Sequence, residues 1–277
     1  MIVVTGASGQ LGRLVIGGLP AGQVVAAART PEKAADLGVE VREADYDRPE
    51  TLDKAFVGAD TVLLISGNEP GKRIPQHAAA VEAAKRAGAS RIVYTSAPYA
   101  DTTDLVLAPE HKATEQLIRD SGLPFTFLRN GWYHENYEDA IARAATSGEL
   151  VGSVGAGRVA SAARADFAAA AVAVLTGSDH ENKIYELTGD TAWTFPELAA
   201  EIATVAGRPV SYRDLSPAEH QAYLESAGTP AEVAAFVVAL DQNIAAGTLD
   251  HTPGTLSELI GRPTTPIATA IAGVLKG

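Results

Sequence analysis

"VTGASGQLG", Val4 to Gly12, sets Gly6, Gly9 and Gly12 directly after an apolar run and at the opening of a helical segment. The spacing is three and three. Glycines in a strand–turn–helix junction allow a tight turn, let the backbone approach an anion closely, and bring the helix N-terminus with its unpaired N–H groups up to that anion. This context points to a dinucleotide pyrophosphate; the competing reading is a tight turn without a ligand.

Outward from the loop, short β-rich runs alternate with amphipathic or Ala-rich stretches: "IVVT", "VVAAA", "VEVRE", "TVLLIS", "RIVYTS" and "FTFLRN" by residue 130. Such alternation predicts an α/β fold, a Rossmann-type doubly wound parallel sheet whose strand ends share one ligand-binding edge. Past residue 145 we expect one more helix at "ADFAAAAVAVL" and a strand at "KIYELTG". From Thr194 the chain reads as mostly helical, with a short strand at "VSYRDL". The expected division is a dinucleotide-binding domain over 1–190 and a smaller helical domain over 191–277 that caps the strand ends.

The second strand chooses between cofactors. An NAD binder places Asp or Glu roughly 20 residues past the glycines, to accept from the ribose 2′-hydroxyl. Here the strand ends "VVAAART", with Arg29 where the acid would stand and Lys33 one turn on. A guanidinium grips a 2′-phosphate through charge-assisted hydrogen bonds, so NADP(H) is expected over NAD(H).

Composition excludes several classes. The chain has 277 residues, 46% hydrophobic, enough for a large core, and no cysteine, which removes disulfides, thiolate catalysis and cysteine-ligated metals. A net charge of −12 opposes general affinity for nucleic acid or anionic membrane. The longest apolar stretch, "FAAAAVAVL", is too short to span a bilayer, and no basic leader precedes "MIVVTG", so a cytoplasmic protein is expected. His77, His134 and Glu135 lack a ligand spacing, and no metal is expected.

Two further stretches carry chemistry. "PEHKATEQLI" puts His111, Glu115 and Ile118 on one face of a helix that follows "RIVYTS", so its start should lie at the ligand edge. His111 is then a proton donor that Glu115 favours in its charged form, or half of a pair that packs an inter-domain seam. "NGWYHENY" follows the sixth strand: Asn130 can donate or accept, Trp132 and Tyr133 can wall a flat acceptor, and the Tyr133 hydroxyl can protonate a product.

The loop, together with "ARTPEKA", "ADYD", "LLISG", "YTS", "PFTFLRNGWYHENY", "KIYELTGDTAWTFPELA" and "LIGRPTTPIATAI", closely resembles the NmrA-like branch of the atypical short-chain dehydrogenases, nearest to type 2 NADPH:quinone oxidoreductases and triphenylmethane reductases. The resemblance covers almost the whole chain. It implies NADPH as hydride donor and a substrate cleft between two domains. By position it implies cofactor contacts from Gly6, Ser8, Gly9, Gln10 and Leu11, from Arg29 at the 2′-phosphate, Asp45 near the adenine, Ser66 and Gly67 along the cofactor, and Asn130, Gly131, Trp132 and Tyr133 near the nicotinamide. An ordinary short-chain dehydrogenase carries Tyr-x-x-x-Lys on the helix that here carries His111-x-x-x-Glu115, so an acceptor that stabilises incoming electrons itself is the better fit. The expected function is hydride transfer from NADPH to a quinone or a similar planar, electron-poor small molecule, with Tyr133, His111 and Asn130 as catalytic candidates. The alternatives are a dinucleotide-binding redox sensor without turnover and a reductase of imine or carbonyl-like substrates. A homodimer is the default assembly.

Overall fold

The computed structural model describes residues 1–69 and 71–276. In chain order the elements are β1 (Ile2–Val4), α1 (Gln10–Gly17), β2 (Val24–Ala28), β3 (Glu40–Glu43), α2 (Pro49–Ala55), β4 (Thr61–Leu64), α3 (Arg73–Arg86), β5 (Arg91–Ser96), α4 (Ala108–Ser121) and β6 (Phe125–Asn130). There follow α5 (Glu138–Ser147), β7 (Glu149–Gly152), β8 (Arg158–Val159), α6 (Arg164–Thr176), β9 (Lys183–Leu187), β10 (Trp193–Thr194), α7 (Phe195–Ala206), β11 (Ser211–Asp214), α8 (Pro217–Ser226), α9 (Ala231–Ala245), α10 (Thr255–Ile260) and α11 (Ile267–Lys276).

Seven strands form one parallel sheet in the order β3-β2-β1-β4-β5-β6-β9. The winding reverses between β1 and β4, and the crevice outside the strand ends at such a reversal is where doubly wound sheets bind ligands. Both faces of the sheet are covered, which is why its central strands read as continuous apolar runs. Alternate residues divide between the faces. Val4, Val93 and Leu128 pack toward α1 and α6, while Val3, Tyr94 and Phe127 pack toward α2, α3 and α4.

A third core fills the second lobe. It joins Tyr137, Ile141 and Leu150 to Trp193, Leu198, Leu240 and Ile271, and it includes Ala97 and Leu105 from the loop after β5. The strands interleave as well: β7 pairs with β11, β8 with β10, and β9 returns to the main sheet. The second lobe therefore takes its core from both sides of residue 190. Its attachment is polar at one point: the carboxylate of Asp166 on α6, fully buried, accepts from Arg262 Nη2 at 2.6 Å and from the Thr265 N–H at 2.7 Å.

Candidate active site

At the end of β1 the Thr5 hydroxyl donates to the Leu63 carbonyl (3.0 Å) and accepts from the Ile65 N–H (2.9 Å), tying the glycine loop to β4. Gly6 then turns with φ +59°, a conformation that disfavours side chains. Gly12 is required by closeness: a Cβ there would stand 2.4 Å from the Gly6 carbonyl oxygen and 2.9 Å from Ala7 Cα. Helix α1 opens at Gly9 with no side-chain cap and no acid in its first turn. Its first N–H groups are left for a ligand, the arrangement that a pyrophosphate satisfies.

The loop opens into a cleft of about 390 Å³ at the sheet reversal. Of the residues expected at the cofactor, Gly6, Ser8, Gly9, Gln10, Leu11, Arg29, Asp45, Ser66 and Gly67 all line it. Lys33 is exposed and does not. At the rim Arg29 Nη1 lies 3.0 Å from Glu69 Oε1, an ion pair that no pattern in the sequence indicated.

The segment after β4 is held from three sides. The Ser66 N–H donates to Thr95 Oγ1 (2.9 Å), Arg73 Nε donates to the Gly67 carbonyl (2.6 Å), and the Gly67 N–H donates to His77 Nε2 (3.0 Å). With Nε2 accepting, the His77 proton sits on Nδ1 and is donated to Thr114 Oγ1 at 2.9 Å. Burial, aided by the Arg73 charge, lowers the His77 pKa to about 4. His77 is a neutral strut beneath the cleft.

His111 and Glu115 do not form the expected pair. Both are buried, but His111 Nδ1 shares a 2.8 Å hydrogen bond with the Tyr94 hydroxyl, and burial, with Arg73 and His77 adding repulsion, lowers its pKa to about 3. The Glu115 carboxylate is taken by Ser96 Oγ (2.6 Å), Arg129 Nε (2.9 Å) and Arg129 Nη2 (2.7 Å). Arg129 also reaches Asp101 and Glu186, each at 2.8 Å. Burial opposes the Arg129 charge, yet the bonds to Glu115, Glu186 and Asp101 raise its pKa above the usual value. Glu115 therefore does not favour a charged His111, and a neutral imidazole under the sheet is poorly placed to donate a proton.

The segment after β6 divides between two cavities. Gly131 lies outside the cleft and packs against β9: its N–H donates to the Leu187 carbonyl at 2.7 Å, and a Cβ there would meet that oxygen at 2.9 Å. Backbone bonds from Ala162 N–H to the Trp132 carbonyl (3.0 Å) and from His134 N–H to the Ala162 carbonyl (2.9 Å) fix the two residues next along the chain. The Tyr133 ring meets Phe167 edge-on at 5.0 Å and lies 5.0 Å beneath the guanidinium of Arg164, which lines the cleft. Burial raises the Tyr133 pKa, and its hydroxyl is 3.4 Å from Asn130 Nδ2. Asn130 Oδ1 is buried without a hydrogen-bond partner among the described residues.

Trp132 turns the other way, into an apolar cavity of about 890 Å³ framed by α5, β7, α8 and α9. Tyr137 also lines this cavity, edge-on to Trp193 at 5.0 Å and to Phe195 at 5.8 Å. Its hydroxyl, near Asp241, is buried without a partner among the described residues, and burial raises its pKa well above 10. Sequence reasoning passed over Tyr137; an aromatic one turn beyond Tyr133 in "NGWYHENY" was the available signal.

The sequence model of a family described as NAD(P)H-binding matches residues 6–178. This chain belongs to the NAD(P)H-binding family. The match begins at the glycine loop, where the uncapped α1 terminus and the close approach at Gly12 fit a pyrophosphate. This NAD(P)H-binding chain is 46% identical to quinone oxidoreductase 2 of Escherichia coli strain K12 over 98% of each sequence. A crystal structure of the NADPH-dependent quinone oxidoreductase from Escherichia coli, complexed with NADPH, superposes with a TM-score of 0.96 over 99% of each chain at 46% identity. The triphenylmethane reductase of Citrobacter sp., complexed with NADP(H), superposes with a TM-score of 0.95 at 40% identity, over 99% of this chain and 100% of that one. Among the described residues no helix is long and apolar enough to cross a membrane.

Proposed function

We propose that this protein is an NADPH-dependent reductase that delivers hydride to a planar, electron-poor small molecule such as a quinone. The observation that carries the reading is the Trp132–Tyr133 dipeptide: Tyr133 packs under the cleft-lining Arg164, and Trp132 walls the apolar cavity. Two adjacent residues thus join a dinucleotide site to a space suited to an aromatic molecule. Quinone oxidoreductase 2 of Escherichia coli supports the reading, as a full-length relative at 46% identity.

The residues divide the work. The glycine loop and the α1 N-terminus hold the pyrophosphate, Arg29 holds the 2′-phosphate, Asp45 flanks the adenine, and Ser66 and Gly67 line the cofactor's path. When bound, the dinucleotide supplies the hydride. Asn130 Oδ1, a buried acceptor left unsatisfied among the described residues, takes a donor from the bound ligands. Trp132, Tyr137 and Phe195 offer ring faces and edges to the acceptor, and binding there excludes water. Tyr137, held protonated by burial, donates to the acceptor's oxygen as charge develops on it.

The test is NADPH oxidation at 340 nm with a panel of quinones, run beside NADH. Turnover that needs a quinone and prefers NADPH is expected. Tight NADPH binding with no turnover on any acceptor would sink the reductase reading.

A further inference from the structure

The end of β2 has no carboxylate for a ribose 2′-hydroxyl, but the fold supplies one from another strand. Glu69, five residues past the end of β4, lines the same cleft as Arg29. Its Oε1 is 3.0 Å from Arg29 Nη1 and its Oε2 is 2.9 Å from Lys72 Nζ. The Lys72 N–H also donates to the Glu69 carbonyl at 3.2 Å, which keeps the two residues in one turn. Asp47, at 4.0 Å from Lys72 Nζ, is the next acid outward.

We propose that Glu69 is an internal counter-anion seated in the 2′-phosphate site, and that it moderates the preference for NADP(H) over NAD(H) which Arg29 and Lys72 create. The proposal rests on the dinucleotide reading of the cleft. Two cations bridged by one carboxylate are the donors that a phosphate dianion would use, so the phosphate and Glu69 compete for them. Displacement is cheap, because the Arg29 and Glu69 side chains are 64% and 34% exposed and ion pairs that open to water contribute little. A 2′-hydroxyl makes the opposite demand. It carries a proton to donate, and Glu69 is the carboxylate that accepts it, the part played in NAD binders by the acid at the end of the second strand. Glu69 therefore restrains NADPH binding and assists NADH binding, while Lys72 acts on NADPH alone.

Equilibrium binding of NADPH and NADH, followed by calorimetry, tests this on the wild-type chain, Glu69→Gln and Lys72→Met. Removing a unit charge beside a dianion at a solvent-open site is expected to tighten NADPH about three- to tenfold in Glu69→Gln. The same substitution is expected to weaken NADH about twofold, through loss of one charged hydrogen bond that is open to water. Lys72→Met is expected to weaken NADPH about threefold and leave NADH unchanged. An NADPH:NADH affinity ratio that stays the same or falls in Glu69→Gln would overturn the proposal. A wild-type chain that binds neither nucleotide would instead remove the dinucleotide reading beneath it, so the two failures are distinct.

Discussion

The glycine-loop cleft and the α4 face stand at the same edge of the sheet and treat polar groups in opposite ways. In the cleft, donors are left over: α1 begins without a cap, and among the described residues the Arg29 guanidinium meets only the half-buried carboxylate of Glu69. On the inner face of α4, donors and acceptors close on one another. Glu115 is met by Ser96 and Arg129, Arg129 by three carboxylates, and His111 by Tyr94. Unspent hydrogen-bonding capacity marks a place for a ligand, whereas a saturated buried network marks scaffolding, however chemical its residue types look.

The sharpest way to break this contrast is to damage each side and read binding and stability separately. Glu115→Ala leaves Arg129 buried with only part of its counter-charge, and should lower stability by about 3 kcal/mol in urea unfolding. Nucleotide affinity of the folded fraction should change little; a large loss would make the α4 network part of the site. Gly12→Val forces a side chain into the Gly6 carbonyl and should weaken NADPH binding more than about 100-fold, on the order of 3 kcal/mol, with the circular dichroism spectrum retained. Unimpaired binding would remove the loop from the cofactor site.

Acid separates the two regions next. His77 and His111 have pKa values lowered to about 4 and about 3, so the unfolded chain takes up protons below about pH 6.5 that the folded chain refuses. Stability is therefore full above that pH and falls as pH drops toward about 4 for His77 and about 3 for His111. Each histidine should account for about 2 kcal/mol between about pH 6.5 and 5, and His111→Asn should flatten the profile. An unchanged slope would show that His111 titrates normally. The smallest effect is expected at Tyr137→Phe: deleting a buried hydroxyl that has no partner among the described residues should raise stability by up to about 1 kcal/mol and lower kcat about fivefold with KM for NADPH unchanged. A kcat equal to wild type would leave Tyr137 as packing only.

Legibility followed sequence distance. The loop, the strands and the β2 terminus were readable, because each depends on residues a few positions apart, and the nine cleft residues came together as the strand order requires. His111 and Glu115 were correctly placed on the inner face of α4, but their partners were not readable. Tyr94 and Arg129 reach them from β5 and β6, 17 and 14 residues away. Glu69 meets Arg29 across 40 positions, and the wall of the large cavity opposite Tyr137 comes from α8 and α9, far along the chain.

By itself the sequence determined the doubly wound sheet, the anion-ready turn at Gly6 to Gly12 and the absence of an acid after β2, since backbone conformation and strand periodicity are local properties. Only the tertiary structure decided which charges are spent on one another and which remain for a ligand. A salt bridge, a lowered pKa or an orphan hydroxyl depends on which side chains the fold brings within about 3 or 4 Å and how much water it leaves around them.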